Sequence, residues 1–71
     1  MILIVGGTGS LGRATANRLL AKGEPTRIMT RSPEKAGDLK QAGAEIVQGD
    51  LLDKASLFKA CRGVNKVMAS A

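Results

Sequence analysis

Seven residues near the amino terminus, Gly6-Gly7-Thr8-Gly9-Ser10-Leu11-Gly12, carry the densest chemical signal in the sequence, with glycines at 6, 9 and 12 spaced three apart. They follow a continuous apolar run, residues 1–5, and open a segment whose apolar and small residues recur at helical spacing. In such a strand-turn-helix the first glycine permits the tight turn out of the strand. The second lets a pyrophosphate approach the backbone with no Cβ in the way, and the third lets the helix pack closely on the sheet. Backbone N–H groups at the helix start, with its positive dipole end, then hold the phosphates. The pattern predicts a dinucleotide; the alternative is a glycine-rich turn that holds nothing.

Gly7 and Gly12 also span G-x-x-x-x-G, the front half of a nucleoside-triphosphate loop, but Arg13-Ala14 follows where that loop requires Lys and then Ser or Thr. Triphosphate hydrolysis is therefore not the expected chemistry. In NAD-selective domains an acidic residue about 20 positions beyond the glycines bonds the ribose 2′-hydroxyl. Here that place reads Thr30-Arg31-Ser32. A guanidinium pairs with a 2′-phosphate where a carboxylate would repel it, so Arg31 selects NADP(H), and Lys35, about one helical turn on, can add a second cation. The alternatives are a solvated loop arginine and an ordinary surface lysine. Arg13, inside the first helix, is expected to face solvent rather than a ligand. Asp50, in Gly49-Asp50-Leu51, could accept from the adenine amino group, or could satisfy its own turn. Ala69 and Ser70, small residues at the end of a last strand, would let the chain pass close to the cofactor's ribose or pyrophosphate.

The elements that position these residues follow from the same sequence. Residues 1–5 read as a strand buried on both faces. A helix is expected from Ser10 to about Lys22, with Leu11, Ala14 and Leu19 as its apolar positions and Gly23 as its stop. Residues 26–30 form a second strand, and Ser32-Pro33-Glu34 reads as an N-cap with proline in the first turn of a helix reaching about Ala42. Residues 44–47 give a third strand. Asp53 caps a third helix with Ala55, Phe58 and Cys61 or Arg62 along one side, and residues 64–69 give a fourth strand. This alternation predicts an α/β fold: a Rossmann-type parallel sheet with helices on both faces and strand order 3-2-1-4.

The chain has 71 residues, enough for one small domain with a marginal core, since at this size only about 60% of the unfolded surface is buried on folding. With 44% apolar residues and Phe58 as the one aromatic, that core must be aliphatic. The last residues reach a strand's carboxyl edge, and the chain reads as the amino-terminal half of a domain, a fragment, with later strands to follow. A net charge of +5 raises nucleic-acid binding, but the eleven Lys and Arg are spread along the chain and no aromatic stacking platform accompanies them. A solvated basic surface is the expectation, with no nucleic-acid partner. The lone Cys61 cannot form an internal disulfide, residues 1–5 are too short for a signal or membrane span, and the expected compartment is the cytoplasm.

Four blocks, Gly-Gly-Thr-Gly-Ser-Leu-Gly at 6–12, Thr-Arg-Ser-Pro-Glu-Lys-Ala at 30–36, Gly-Ala-Glu-Ile-Val-Gln-Gly-Asp-Leu at 43–51 and Gly-Val-Asn-Lys-Val at 63–67, together resemble the NmrA-like group of atypical short-chain dehydrogenase/reductases. The resemblance covers the whole chain in the correct order. It implies NADP(H) binding by Gly6, Thr8, Gly9, Ser10, Leu11, Gly12, Arg31, Lys35, Asp50 and Leu51. The group includes reductases of small carbonyl or quinone-like substrates, and also regulators that bind NADP without turning it over. An extended-type epimerase or dehydratase of the wider superfamily fits less well, because many of those use NAD. The sequence has no Tyr and no His, so the superfamily's Tyr-Lys dyad does not lie here, no catalytic or metal-ligating residue is assigned, and this segment alone is not expected to catalyse. The substrate would be bound by residues beyond Ala71, and nothing in the sequence specifies an oligomeric state.

Overall fold

The computed structural model describes residues 1–6 and 9–69; Gly7, Thr8, Ser70 and Ala71 lie outside the described residues. The apolar run at the amino terminus forms β1 (Ile2–Val5), followed by α1 (Ser10–Ala21), β2 (Thr26–Thr30), a 3-10 turn (Pro33–Ala36), α2 (Gly37–Gln41), β3 (Glu45–Gln48), α3 (Lys54–Ala60) and β4 (Lys66–Ala69). All four strands are parallel, in the order β3-β2-β1-β4. This is the α/β sheet that the sequence predicts.

Successive side chains of a strand point to opposite faces, and β1 shows why its run is apolar throughout. Ile4 packs on one face with Ile28, Ala16, Leu39 and Ala44, while Leu3 and Val5 pack on the other with Met29 and Ala60. Helices α1 and α2 cover the first face; α3 covers the second. Val5 lies level with Met29 and Ala69, and Met29 with Val47, so the strands end together at one carboxyl edge. Gly6, Arg31 and Gly49 all leave the sheet there, which is where open parallel sheets bind ligands.

Several local expectations are corrected. The sheet-facing side of α1 is Gly12, Ala16, Leu19 and Leu20, not Leu11 and Ala14; Leu11 is 68% exposed. Small residues one helical turn apart, Gly12 and Ala16, let the helix approach the strands closely. The second helix is not one helix from Ser32. Ser32 makes no capping bond, a 3-10 turn comes first, and the α-helical part begins only at Gly37. In α3 the Asp53 carboxylate accepts from the Ala55 and Ser56 N–H groups, at 3.1 and 3.4 Å, and this cap fixes the helix phase. Leu57, Ala60 and Cys61 turn inward as a result, and Phe58 is 76% exposed.

Strand β3 pairs one residue later than predicted, because Ala44 is buried in the core while Gln48 pairs with Thr30. Strand β4 begins at Lys66, and Val64 packs beside Leu3 and Val5 ahead of it. Arg27 on β2 ties three elements together. It faces Glu45 of β3 at 3.3 Å and donates through one terminal nitrogen to the carbonyls of Ala60 and Arg62, at 2.6 and 2.7 Å, closing the end of α3. Among the described residues no helix is long and apolar enough to cross a membrane.

Candidate functional site

Gly6, Gly9 and Gly12 of the first turn meet three different physical demands. Gly6 has φ 78°, a left-handed conformation that other residues adopt at a steric cost, and its N–H donates to the Met29 carbonyl at 3.0 Å. Gly12 is buried where α1 meets the sheet. Gly9 differs from both. Its φ of −74° and ψ of 165° suit any residue, and a Cβ built there meets no described atom within 4 Å. Among the described residues nothing requires a glycine at this position. The missing Cβ leaves space clear of every described atom, directly at the N-cap of a 12-residue helix.

That helix start is electrostatically prepared for an anion. Its cap residue has no side chain to cover the first-turn N–H groups, and no acidic residue occupies the first turn. The first intrahelical bond runs from Arg13 N–H to the Gly9 carbonyl at 2.8 Å, so the N–H groups ahead of Arg13 face outward at the positive end of the dipole. The donor set and the clearance both fit a pyrophosphate.

Beside this turn lies a concavity of about 340 Å³ lined by Val5, Gly6, Met29, Arg31, Gly49, Asp50, Leu51 and Leu52. Its floor is apolar and its rim carries one cation and one carboxylate. Arg31 also borders a second hollow of about 430 Å³ with Gln48, Asp53 and Ser56. Arg31 is exposed, on a turn held from below: the Thr30 hydroxyl, buried, accepts from Ser32 N–H at 3.1 Å, and the Thr30 carbonyl accepts from Gly49 N–H at 3.0 Å. On the opposite wall the Asp50 turn is tied to α3. The Ser56 hydroxyl accepts from Asp50 N–H at 3.0 Å and lies 3.1 and 2.9 Å from the carbonyls of Asp50 and Asp53. One Asp50 carboxylate oxygen accepts from Leu52 N–H at 3.0 Å, so this side chain does satisfy its own turn. An ionised carboxylate has room for about four hydrogen bonds, and this use leaves acceptor capacity.

Of the residues the sequence singles out, Gly6, Arg31, Asp50 and Leu51 come together around the concavity. Gly9, Ser10, Leu11 and Gly12 form the adjacent helix start, with Ser10 and Leu11 exposed. Lys35 is exposed on the 3-10 turn and does not line the concavity. Ala69 is exposed at the end of β4. Thr8 and Ser70 lie outside the described residues. Sequence reasoning missed Val5, Met29 and Leu52 as lining residues and Ser56 as the tie beneath Asp50. Ser56 sits three residues after the cap Asp53, a position from which a hydroxyl can reach back to the preceding turn, and that spacing was the available signal.

Arg13 requires a correction. It is not a solvent-facing residue: its side chain is 30% exposed and pairs with Asp38, while its second terminal nitrogen donates to the Lys35 carbonyl at 3.0 Å. The Arg13 hydrogen bond holds the Asp38 carboxyl below its ordinary pKa. Helix α1 is thereby fastened to the segment that follows Arg31.

Residues 1–71 match the NmrA-like family. A (4-alkanoyl-5-oxo-2,5-dihydrofuran-3-yl)methyl phosphate reductase of Streptomyces griseus is 46% identical over 67 residues, which make up 94% of this chain and 23% of that protein. Photosystem II assembly factor Ycf39 of Trieres chinensis is 39% identical over 67 residues, 94% of this chain and 21% of that protein. Among solved structures, the NADPH-dependent quinone oxidoreductase QOR2 of Escherichia coli, complexed with NADPH, superposes with a TM-score of 0.84 at 36% identity, over 97% of this chain and 25% of that one. The chain thus spans a quarter or less of the length of each of these proteins.

Proposed function

The chain belongs to the NmrA-like family, and from that premise we propose that it is the NADP(H)-binding part of a cytoplasmic oxidoreductase acting on a small carbonyl or quinone-like substrate. In this reading the open first turn of α1 holds the pyrophosphate. The apolar floor of Val5 and Met29 lies under the adenosine, with Leu51 and Asp50 at its edge, and Arg31, with Lys35 nearby, faces the 2′-phosphate. Thr8, Ala69 and Ser70 belong to the same proposed set, as contacts of the ribose and pyrophosphate. The cofactor, when bound, supplies the hydride. These residues bind and orient it, and groups that touch the nicotinamide and the substrate belong to other parts of the protein.

The observation that carries the reading is the empty Cβ position of Gly9. Neither its conformation nor any described neighbour calls for glycine there, and clearance for a ligand at the helix start is a physical reason that fits. Calorimetric titration with NADP⁺ and NAD⁺ tests it: tighter binding of NADP⁺ is expected, and failure to bind either dinucleotide would refute it. A second reading, an NADP-sensing assembly or regulatory protein, is favoured by the likeness to the assembly factor Ycf39. The same titration would then succeed while no substrate-dependent NADPH oxidation appeared.

A further inference from the structure

We infer that Arg13 is a positioning residue for NADP(H) selectivity, acting through Lys35 and Asp38 rather than by touching the cofactor. The inference rests on the proposed dinucleotide site and adds to it a residue that sequence reasoning had set aside as solvated.

Two observations carry it. First, the Arg13 side chain spans two elements. It starts in the first turns of α1, on the helix whose amino end faces the pyrophosphate position, and reaches the 3-10 turn and α2, where it donates to the Lys35 carbonyl at 3.0 Å and to the Asp38 carboxylate. A guanidinium is suited to this, because its planar fork offers several donors in fixed directions. Ala36 and Leu39, both fully buried, anchor the inner side of the segment it grips, and Arg13 ties down the outer side. Neither the 3-10 turn nor α2 has a side-chain cap at its start, and α2 is only five residues long.

Second, the clamp alters the local charge. Asp38 stands three residues after Lys35, and an unpaired carboxylate there would act against any anion attracted by Lys35 and Arg31. Paired with Arg13, its charge is compensated. The clamp therefore does two things for a 2′-phosphate and nothing comparable for a 2′-hydroxyl: it fixes the backbone that carries Lys35, and it compensates Asp38, one of the two acids, with Glu34, on this segment.

The test measures dissociation constants for NADP⁺ and NAD⁺ in wild type, Arg13→Met, Arg13→Lys, Asp38→Asn, Lys35→Met and the double variant Arg13→Met/Lys35→Met, with melting temperatures recorded alongside. Arg13→Met is expected to weaken NADP⁺ about tenfold, the scale of coupling within one polar network, with NAD⁺ changed less than about twofold. Arg13→Lys should recover only part of the loss, since an ammonium lacks the fork. In the double variant the two losses should not add, because Lys35 acts only where Arg13 holds it. Equal weakening of both dinucleotides, or fully additive losses, would overturn the inference and leave Arg13 a general structural tie. Should Arg13→Met fail to fold, Arg13→Lys and the double variant Arg13→Lys/Lys35→Met carry the same comparison. If wild type binds neither dinucleotide, the underlying site assignment fails instead, and the inference with it.

Discussion

A Cβ placed on Gly49 would lie 2.7 Å from the Sδ of Met29 and 2.8 Å from its Cγ. Met29 is 1% exposed and packed with Leu3, Val5 and Ala60, and although it borders the concavity its thioether would have to shift to admit a Cβ. The glycine at the end of β3 is there for packing, unlike the one at position 9. Gly49→Ala is expected to destabilise the fold by about 1–3 kcal/mol, the range for overpacking a filled core. Pairing it with Met29→Ala should recover part of that loss through the vacated volume. Urea unfolding of the two single variants and the double variant measures the coupling, and strictly additive losses would show that the two groups do not compete for space.

Gly9→Val is expected to leave the helical and strand content intact, at a stability cost of about 1 kcal/mol or less for the changed cap. Binding of either dinucleotide should be lost, because the side chain fills the clearance at the helix start. Circular dichroism separates folding from binding here. A folded variant with unchanged affinity would mean that the turn holds no phosphate.

Acid should loosen the link between α1 and α2. The Arg13 hydrogen bond depresses the Asp38 pKa in the folded state, so the carboxylate form is favoured by folding. Its contribution to stability is fully present above the unfolded carboxylate value of about 3.9. It declines as pH falls below that value and is gone once pH has passed through the depressed folded value. Stability measured against pH for wild type and Asp38→Asn should differ by a constant amount near neutrality and converge in acid. Curves that stay parallel down to the lowest pH would show that this carboxylate is not the titrating group.

Much of the architecture was legible because it is written in local patterns. The both-faces burial of residues 2–5, the alternation of strands and helices, and the strand-order rule for parallel sheets led directly to β3-β2-β1-β4. The phases of α1 and α3 were not legible from apolar spacing alone. In α1 the sheet contact is made by Gly12 and Ala16, which a hydrophobicity count passes over, and in α3 the Asp53 cap turns Phe58 outward. The placement of Gly6 and Arg31 at the carboxyl edge of the sheet could be found from sequence because it follows from short-range order. Arg13 could not. Its partners stand 22 and 25 residues away, and only the docking of α2 beside α1 brings them within reach.

The central claim is that Arg31 reads a 2′-phosphate at the edge of this concavity. Its most direct test is the ratio of NADP(H) to NAD(H) affinity in wild type and Arg31→Asp. Replacing the guanidinium by a carboxylate should cost NADP(H) about 2–4 kcal/mol, the range for breaking a charge-assisted pair, while NAD(H) changes far less and the preference reverses. Equal loss for the two cofactors, or no loss for either, would contradict the account.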